Sequence, residues 1–206
     1  MEHLELVDRV YKEVKKMIFD QELKQDQKII QEKLAAQLGV SRSPLIKALQ
    51  KLESEMLVVS IPRRGMFVKS IDIEELIDVF ECRAVLEGLS ARLTTRLITK
   101  SQLQQLKDCF KPFIGKKNIN SDEYAIADRN FHAFILEWSG NKVIPQLEML
   151  SNVHLKAFQA GLLRKPEETL KEHLAIIDAM EKGDEQKAEL EMRSNIEMSL
   201  IAFRSK

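Results

Sequence analysis

The chain has 206 residues, 44% of them hydrophobic, with 32 basic and 32 acidic side chains in balance, so it can hold a small domain beside a larger one, and any grip on a polyanion must come from a local basic patch. Its two cysteines, Cys82 and Cys109, are far apart, which excludes a disulfide framework or a Cys-type zinc site and leaves two reduced core thiols as the expectation. The amino terminus is charged from Glu2 and no uncharged run approaches the roughly 18 residues that span a bilayer, which excludes a signal peptide and a membrane partner and points to a cytoplasmic protein.

The first element in chain order is a short helical pattern, Ile29, Ile30, Leu34 and Leu38, that stops at Gly39. Val40 and Ser41 then open a second helix carrying Leu45, Ala48, Leu49 and Leu52. Ser41 is the expected N-cap, and Pro44 falls in the first turn, where backbone N–H groups lack intrahelical partners and a proline costs little. The apolar run Met56 to Ser60 is not helical; it meets Ile61-Pro62-Arg63-Arg64-Gly65 and resumes as Met66-Phe67-Val68, a small β-hairpin with two arginines at its tip. Between Lys33 and Lys69 seven Lys or Arg face two Asp or Glu, a local excess of five positive charges in a neutral chain.

A helix, a tight turn, a second helix and a basic hairpin make a tool for gripping duplex DNA. The start of the second helix meets base edges in the major groove, while basic and hydroxyl groups nearby hold phosphates. Arg42 suits the O6 and N7 acceptors of guanine. Ser41 and Ser43 suit phosphate oxygens, Lys47 serves either surface, and Arg63, Arg64 and Gly65 are placed to reach the backbone or the minor groove. The bland alternative is a helical subdomain with a solvated basic face; the hairpin weighs against it.

Ser70 to Asp72 is the expected hinge, giving units of residues 1–70 and 71–206. The second unit reads as six antiparallel helices with short connections. Asp72 caps a long helix, Ile73 to Leu97, with the inward stripe Leu76, Val79, Phe80, Leu86 and Leu89. Ser101 starts the next, disturbed at Pro112 and ended near Gly115, and Lys116 to Asn120 is a loop. Ser121 caps a helix to Trp138, Ser139-Gly140-Asn141 breaks it, and Pro145 begins another that runs to Gly161. Helices Pro166 to Glu181 and Asp184 to Phe203 follow, separated by Gly183. The expected fold is therefore mostly α: a winged helix-turn-helix with a small hairpin, then a six-helix bundle.

Polar residues on the apolar stripes of that bundle need a reason. Asp128 and His132 are one turn apart on one helix face, His173 lies between Leu170 and Ile177, and Asn195 lies between Met192 and Ser199. A carboxylate and imidazoles converging in a helical core suit a divalent metal, zinc first, with manganese, nickel or iron as alternatives. A hydrogen-bonded Asp–His pair in a core answers the same spacing. Arg83 follows Phe80 on the apolar face of the long helix and has two readings, a salt bridge to Glu87 one turn on or a grip on the carboxylate of a small organic acid.

The run Leu34-Ala35-Ala36-Gln37-Leu38-Gly39-Val40-Ser41-Arg42-Ser43-Pro44, with Ala48 to Glu53 and Pro62 to Val68, resembles the winged helix of GntR-type bacterial transcription regulators. Arg83-Ala84-Val85-Leu86-Glu87 and the later helices resemble the FadR-like branch with its FCD effector domain, so nearly the whole chain is covered. The resemblance implies a homodimeric, ligand-responsive regulator of operator DNA, expected to be a repressor and not an enzyme. It also implies a metal held by Asp128, His132 and His173, and a small-acid effector at Arg83. Three departures stand out. Ile46 replaces a usual arginine, Met56 replaces a usual glycine, and Asn195 stands where a fourth histidine ligand is usual. Asn195 is therefore assigned to the effector, as is His154, on an inward stripe between Leu150 and Phe158, which offers a substitute nitrogen. An acyl-CoA-responsive regulator without metal and a metal-dependent hydrolase are the alternatives.

Overall fold

A computed structural model describes residues 2–70, 72–144 and 164–204. The expected helix from Pro145 to Gly161, and His154 with it, lies outside these residues. The chain divides into two compact units, residues 1–71 and 72–206. No helix among the described residues is long and apolar enough to cross a membrane.

The first unit opens with α1 (Glu2–Phe19), a helix absent from the sequence-based expectation. Its apolar residues Val10, Tyr11, Val14, Met17 and Ile18 recur at helical spacing and are all buried. β1 (Lys28–Ile29) follows, then α2 (Gln31–Gln37) and α3 (Arg42–Ser54). β2 (Val58–Ile61) and β3 (Gly65–Val68) form the hairpin. Ile29 and Ile30 were expected in the helix. Ile29 instead pairs with Met66 in a three-stranded antiparallel sheet of order β1-β3-β2, and Ile30 is the N-cap of α2. Two β-branched residues before a helix start fit an extended strand equally well, and pairing with β3 decides it.

The core of this unit is the buried face of α3 (Leu45, Ala48, Leu49 and Leu52) set against α1, Leu34, Ala35, Leu57, Val58, Met66 and Val68. Glu55 is buried beside it, accepting from Tyr11 Oη at 2.7 Å and Lys15 Nζ at 2.9 Å, which ties the end of α3 to α1.

Both helices of the motif end in the same way. Gly39, at φ +64°, donates to Ala36 O while Val40 donates to Ala35 O; Met56, at φ +59°, donates to Glu53 O while Leu57 donates to Leu52 O. These paired bonds are Schellman motifs, which need a left-handed residue and favour glycine. The first ending has its glycine; the second uses methionine.

The second unit contains α4 (Ile73–Leu97), α5 (Lys100–Phe110), a 3-10 turn at Lys111–Phe113, α6 (Ser121–Trp138), α7 (Pro166–Glu181) and α8 (Glu185–Arg204). α4 packs along α8, α6 and α7; α5 lies against α6 and α7. Gly88 makes room between α4 and α8, because a Cβ there would stand 2.4 Å from Arg193 Cγ. Asp72 caps α4 through Glu74 N–H.

Two other starts differ by a residue or two from expectation. Thr99 and Gln102 form a capping box before α5, and Asn120 rather than Ser121 caps α6, its side chain accepting from Asp122 and Glu123. In both places a better-placed acceptor precedes the serine.

The inward face of α4 also differs. After Leu76, Val79 and Phe80 it continues through Arg83, Glu87, Ser90, Ala91 and Thr94, while Leu86 and Leu89 are only half-buried on its flank. Counting leucines misphased the second half; the helical period from Phe80 leads to polar residues. Cys82 is exposed and Cys109 half-buried, so neither is a core thiol.

Met56→Gly is expected to stabilise the first unit by about 1 kcal/mol. Relief of the left-handed penalty outweighs the entropy glycine gains when unfolded, and urea denaturation followed by helix circular dichroism measures the change.

Candidate nucleic-acid interface and metal centre

At the first candidate site, α3 begins abruptly because Gly39 turns the chain and Ser41 occupies the N-cap with extended backbone, φ −75° and ψ 166°. Its hydroxyl makes no capping bond, contrary to expectation. Pro44 and Leu45 are buried, anchoring the first turn, whereas Ser41, Arg42, Ser43 and Lys47 are exposed. Arg42 lies across the start of α2, with Nη1 3.4 Å from Glu32 Oε1 and Nη2 3.5 Å from Gln31 Oε1. Contacts that long between exposed groups contribute little and are readily exchanged.

The hairpin tip is a turn closed by Arg64 N–H to Ile61 O at 3.0 Å, with Pro62 first and Arg63 left-handed at φ +64°. Proline then a left-handed residue is the type II pattern, which favours glycine or asparagine in the second place. An arginine there costs on the order of 1 to 3 kcal/mol and is held by the paired strands around it. Arg63, Arg64 and Gly65 are exposed, and Arg64 stacks over Phe67 at 5.4 Å.

The second candidate site lies inside the helical unit. Asp128 and His132 come from α6 and His173 from α7, all three buried. Asp128 Oδ1 is 3.1 Å from His132 Nε2 and 3.2 Å from His173 Nε2, and the two Nε2 atoms are 3.3 Å apart. Ligands about 2.1 Å from a common ion stand about 3.0 Å apart in octahedral and about 3.4 Å apart in tetrahedral geometry. The triangle has the edge lengths and donor types of one face of such a shell.

The outer ring nitrogens are also held. His132 Nδ1 meets Glu87 Oε2 at 2.5 Å, and His173 Nδ1 meets Tyr124 Oη at 2.9 Å, Tyr124 in turn accepting from Thr169 Oγ1. The His173 ring stacks on Phe110, 4.6 Å away and 9° from parallel, with Phe131 edge-on at 5.0 Å. Burial pushes the Tyr124 hydroxyl well above its ordinary range, so it stays protonated as a hydrogen-bonding partner.

Glu87 was noted from the sequence only as a salt-bridge partner for Arg83. It is 1% exposed and uses both oxygens, Oε1 accepting from Arg83 Nε at 2.7 Å and Oε2 meeting His132. Burial by itself would raise its pKa, but the Arg83 and His132 charges and hydrogen bonds hold it down at about 2. The reverse balance acts on His132: burial would lower it, and Glu87 and Asp128 lift it to about 9. Without metal, a proton on His132 supplies the positive charge the two carboxylates require. The signal for Glu87 was present in the sequence, since a residue one turn beyond a stripe arginine faces the same way.

Arg83 is 2% exposed and lies over the Phe80 ring at 4.5 Å. Its salt bridge to Glu87 occupies Nε only; Nη1 is buried without a hydrogen-bond partner among the described residues. Asn195 is buried on α8 and donates from Nδ2 to Glu172 Oε2 at 2.7 Å. Glu172 also accepts from Arg164 Nη1 and Nη2, at 2.9 and 2.6 Å. Neither Arg164 nor Glu172 was singled out from the sequence.

A winged helix-turn-helix followed by a helical bundle is the architecture of a DNA-binding transcription regulator with a second, helical domain. Residues 6–68 match the bacterial regulatory proteins of the gntR family, and residues 78–198 match the FCD domain. The chain belongs to the GntR family of transcriptional regulators and carries an FCD domain.

The chain is 31% identical over 116 residues to the Nta operon transcriptional regulator of Aminobacter aminovorans, covering 56% of this chain and 55% of that one. It is 25% identical to the HTH-type transcriptional repressor RspR of Escherichia coli K12, covering 81% and 75%. E. coli McbR/YncC shares the fold, with a TM-score of 0.76, 19% identity and 97% coverage of both chains. The Nta operon protein and RspR are both named as transcriptional regulators, which agrees with a regulator and gives the hydrolase alternative no support.

Glu87→Ala removes one partner of a buried pair and strands Arg83. It is expected to cost about 3 to 5 kcal/mol, read as a lower thermal midpoint of the helical unit.

Proposed function

We propose that residues 1–70 bind operator DNA as half of a homodimer, and that residues 71–206 dimerise and sense a small carboxylate with the help of a divalent metal. The observation that carries this reading is the pairing of two buried features. One is a triangle of Asp128, His132 and His173 ligand atoms; the other is an Arg83 guanidinium that keeps Nη1 open among the described residues. A buried arginine edge without an acceptor suits an anion. The aspartate and two imidazoles suit zinc, with manganese, nickel or iron also compatible. A bound ion would add a Lewis-acid anchor for a carboxylate oxygen.

Arg42 reads guanine, Ser41, Ser43 and Lys47 hold phosphates, and Arg63, Arg64 and Gly65 carry the wing to the backbone or minor groove. Two-fold operators need a two-fold protein, so the functional unit is a dimer acting on half-sites about one helical turn apart. The effector acts by binding one arrangement of the dimer better than another; about 1 to 3 kcal/mol of coupling changes operator affinity about 5- to 150-fold. Repression is the favoured sign of regulation, and the balanced, soluble-type sequence favours the cytoplasm.

Arg42→Ala is expected to weaken binding to a palindromic promoter fragment by about 1 to 3 kcal/mol, measured by fluorescence anisotropy at fixed salt. Arg83→Met should bind the same fragment normally and lose the response to effector; a normal response would remove Arg83 from the sensing site.

Asn195→His is expected to tighten zinc binding at least tenfold, by supplying imidazole where the wild type offers an amide. Competition with a chromophoric chelator measures it. Protein purified without chelator that contains no metal and takes none up would favour the acyl-CoA-responsive alternative.

A further inference from the structure

Glu87 touches both His132, a candidate metal ligand, and Arg83, the candidate anion grip. Its Oε2 faces His132 Nδ1 and its Oε1 holds Arg83 Nε. A carboxylate that already accepts from the Arg83 guanidinium on one oxygen serves as an acceptor on the other. The proton between Glu87 and His132 must therefore sit on Nδ1. A neutral imidazole protonated on Nδ1 offers its lone pair from Nε2, the atom that faces Asp128 and His173. Through its second oxygen the same carboxylate keeps Nε of Arg83 occupied, so that Nη1 is the edge left without an acceptor among the described residues.

The geometry points to Glu87 as the positioning residue of the sensing site: it fixes His132 in the tautomer that presents Nε2 to a metal while orienting Arg83 by the opposite oxygen. This rests on the metal reading above. Outer partners of this kind change metal affinity by about 10- to 100-fold when removed.

The test uses full-length protein and zinc, with affinity measured by chelator competition and the cobalt(II) spectrum as a signature of the ligand set. Because Glu87→Ala alone strands a buried arginine, the comparison is made on Arg83→Met. In that background Glu87→Leu is expected to weaken zinc about 10- to 100-fold and to alter the cobalt spectrum. Glu87→Gln, which keeps an acceptor oxygen, should recover most of the loss. Equal affinity for the Glu, Gln and Leu forms would overturn the proposal while leaving the metal site intact, and so would a Gln form as weak as Leu. A wild-type protein that binds no zinc would remove the metal reading itself.

Nitrogen-15 NMR of the zinc-loaded wild type gives a measurement independent of the variants' folding. The His132 ring proton is expected on Nδ1; a proton on Nε2 overturns the proposal.

Discussion

A buried carboxylate must be paired, and in the helical unit that requirement falls on Glu87. Moving one ion into a protein interior costs several kcal/mol after relaxation, so it is tolerated only with opposite charge and hydrogen bonds close by. Arg83 and His132 supply both. His132 in turn needs Asp128, and the Asp128 oxygen stands as close to His173 as to His132. Arg83, Glu87, Asp128, His132 and His173 thus form one connected system across α4, α6 and α7. Aromatic rings brace it: Phe110 lies flat on His173, and Phe131 meets both imidazoles edge-on.

Such a system is poorly suited to being a stability device, because apolar residues of similar volume would pack as well without the desolvation cost. On the reading proposed above, its value lies in what it holds ready. The candidate ligand atoms of Asp128, His132 and His173 stand at the spacing of one coordination shell, and the Arg83 guanidinium is buried. Preorganisation of this kind lowers the ordering cost paid when a ligand arrives. An effector needs only a coupling of about 1 to 3 kcal/mol to act, comparable to one charge-assisted hydrogen bond.

The winged unit follows a different logic, in which packing fixes the backbone and leaves polar groups exposed. Schellman endings at Gly39 and Met56 turn the chain sharply on both sides of α3, while Leu45 and Leu49 anchor its inner face. Ser41 makes no cap bond, Arg42 makes only long contacts, and Arg63 sits in an unfavourable left-handed turn. Local hydrogen bonding is incomplete at the very surface proposed to meet DNA. Strain and unmade bonds of this sort are tolerated where the surrounding core over-determines the backbone.

The helix-turn-helix, the wing and the described helices of the second unit were legible because they depend on local rules, whereas α1 was not: Gly39 and Pro44 punctuate, Leu45 to Leu52 repeat at helical spacing, and Arg63 and Arg64 sit between two short apolar runs. Asp128 and His132 were legible for the same reason, being one turn apart. Tertiary packing decided the rest. Ile29 became a strand only because β3 offered it a partner, and the inward face of α4 passed through Arg83 and Glu87 rather than Leu86 and Leu89. Asn195 turned to Glu172, which Arg164 also holds. A single sequence states which side chains share a face of one helix. Which carboxylate on α4 meets which imidazole on α6 depends on how the helices pack, and there the cost of burying charge chose Glu87.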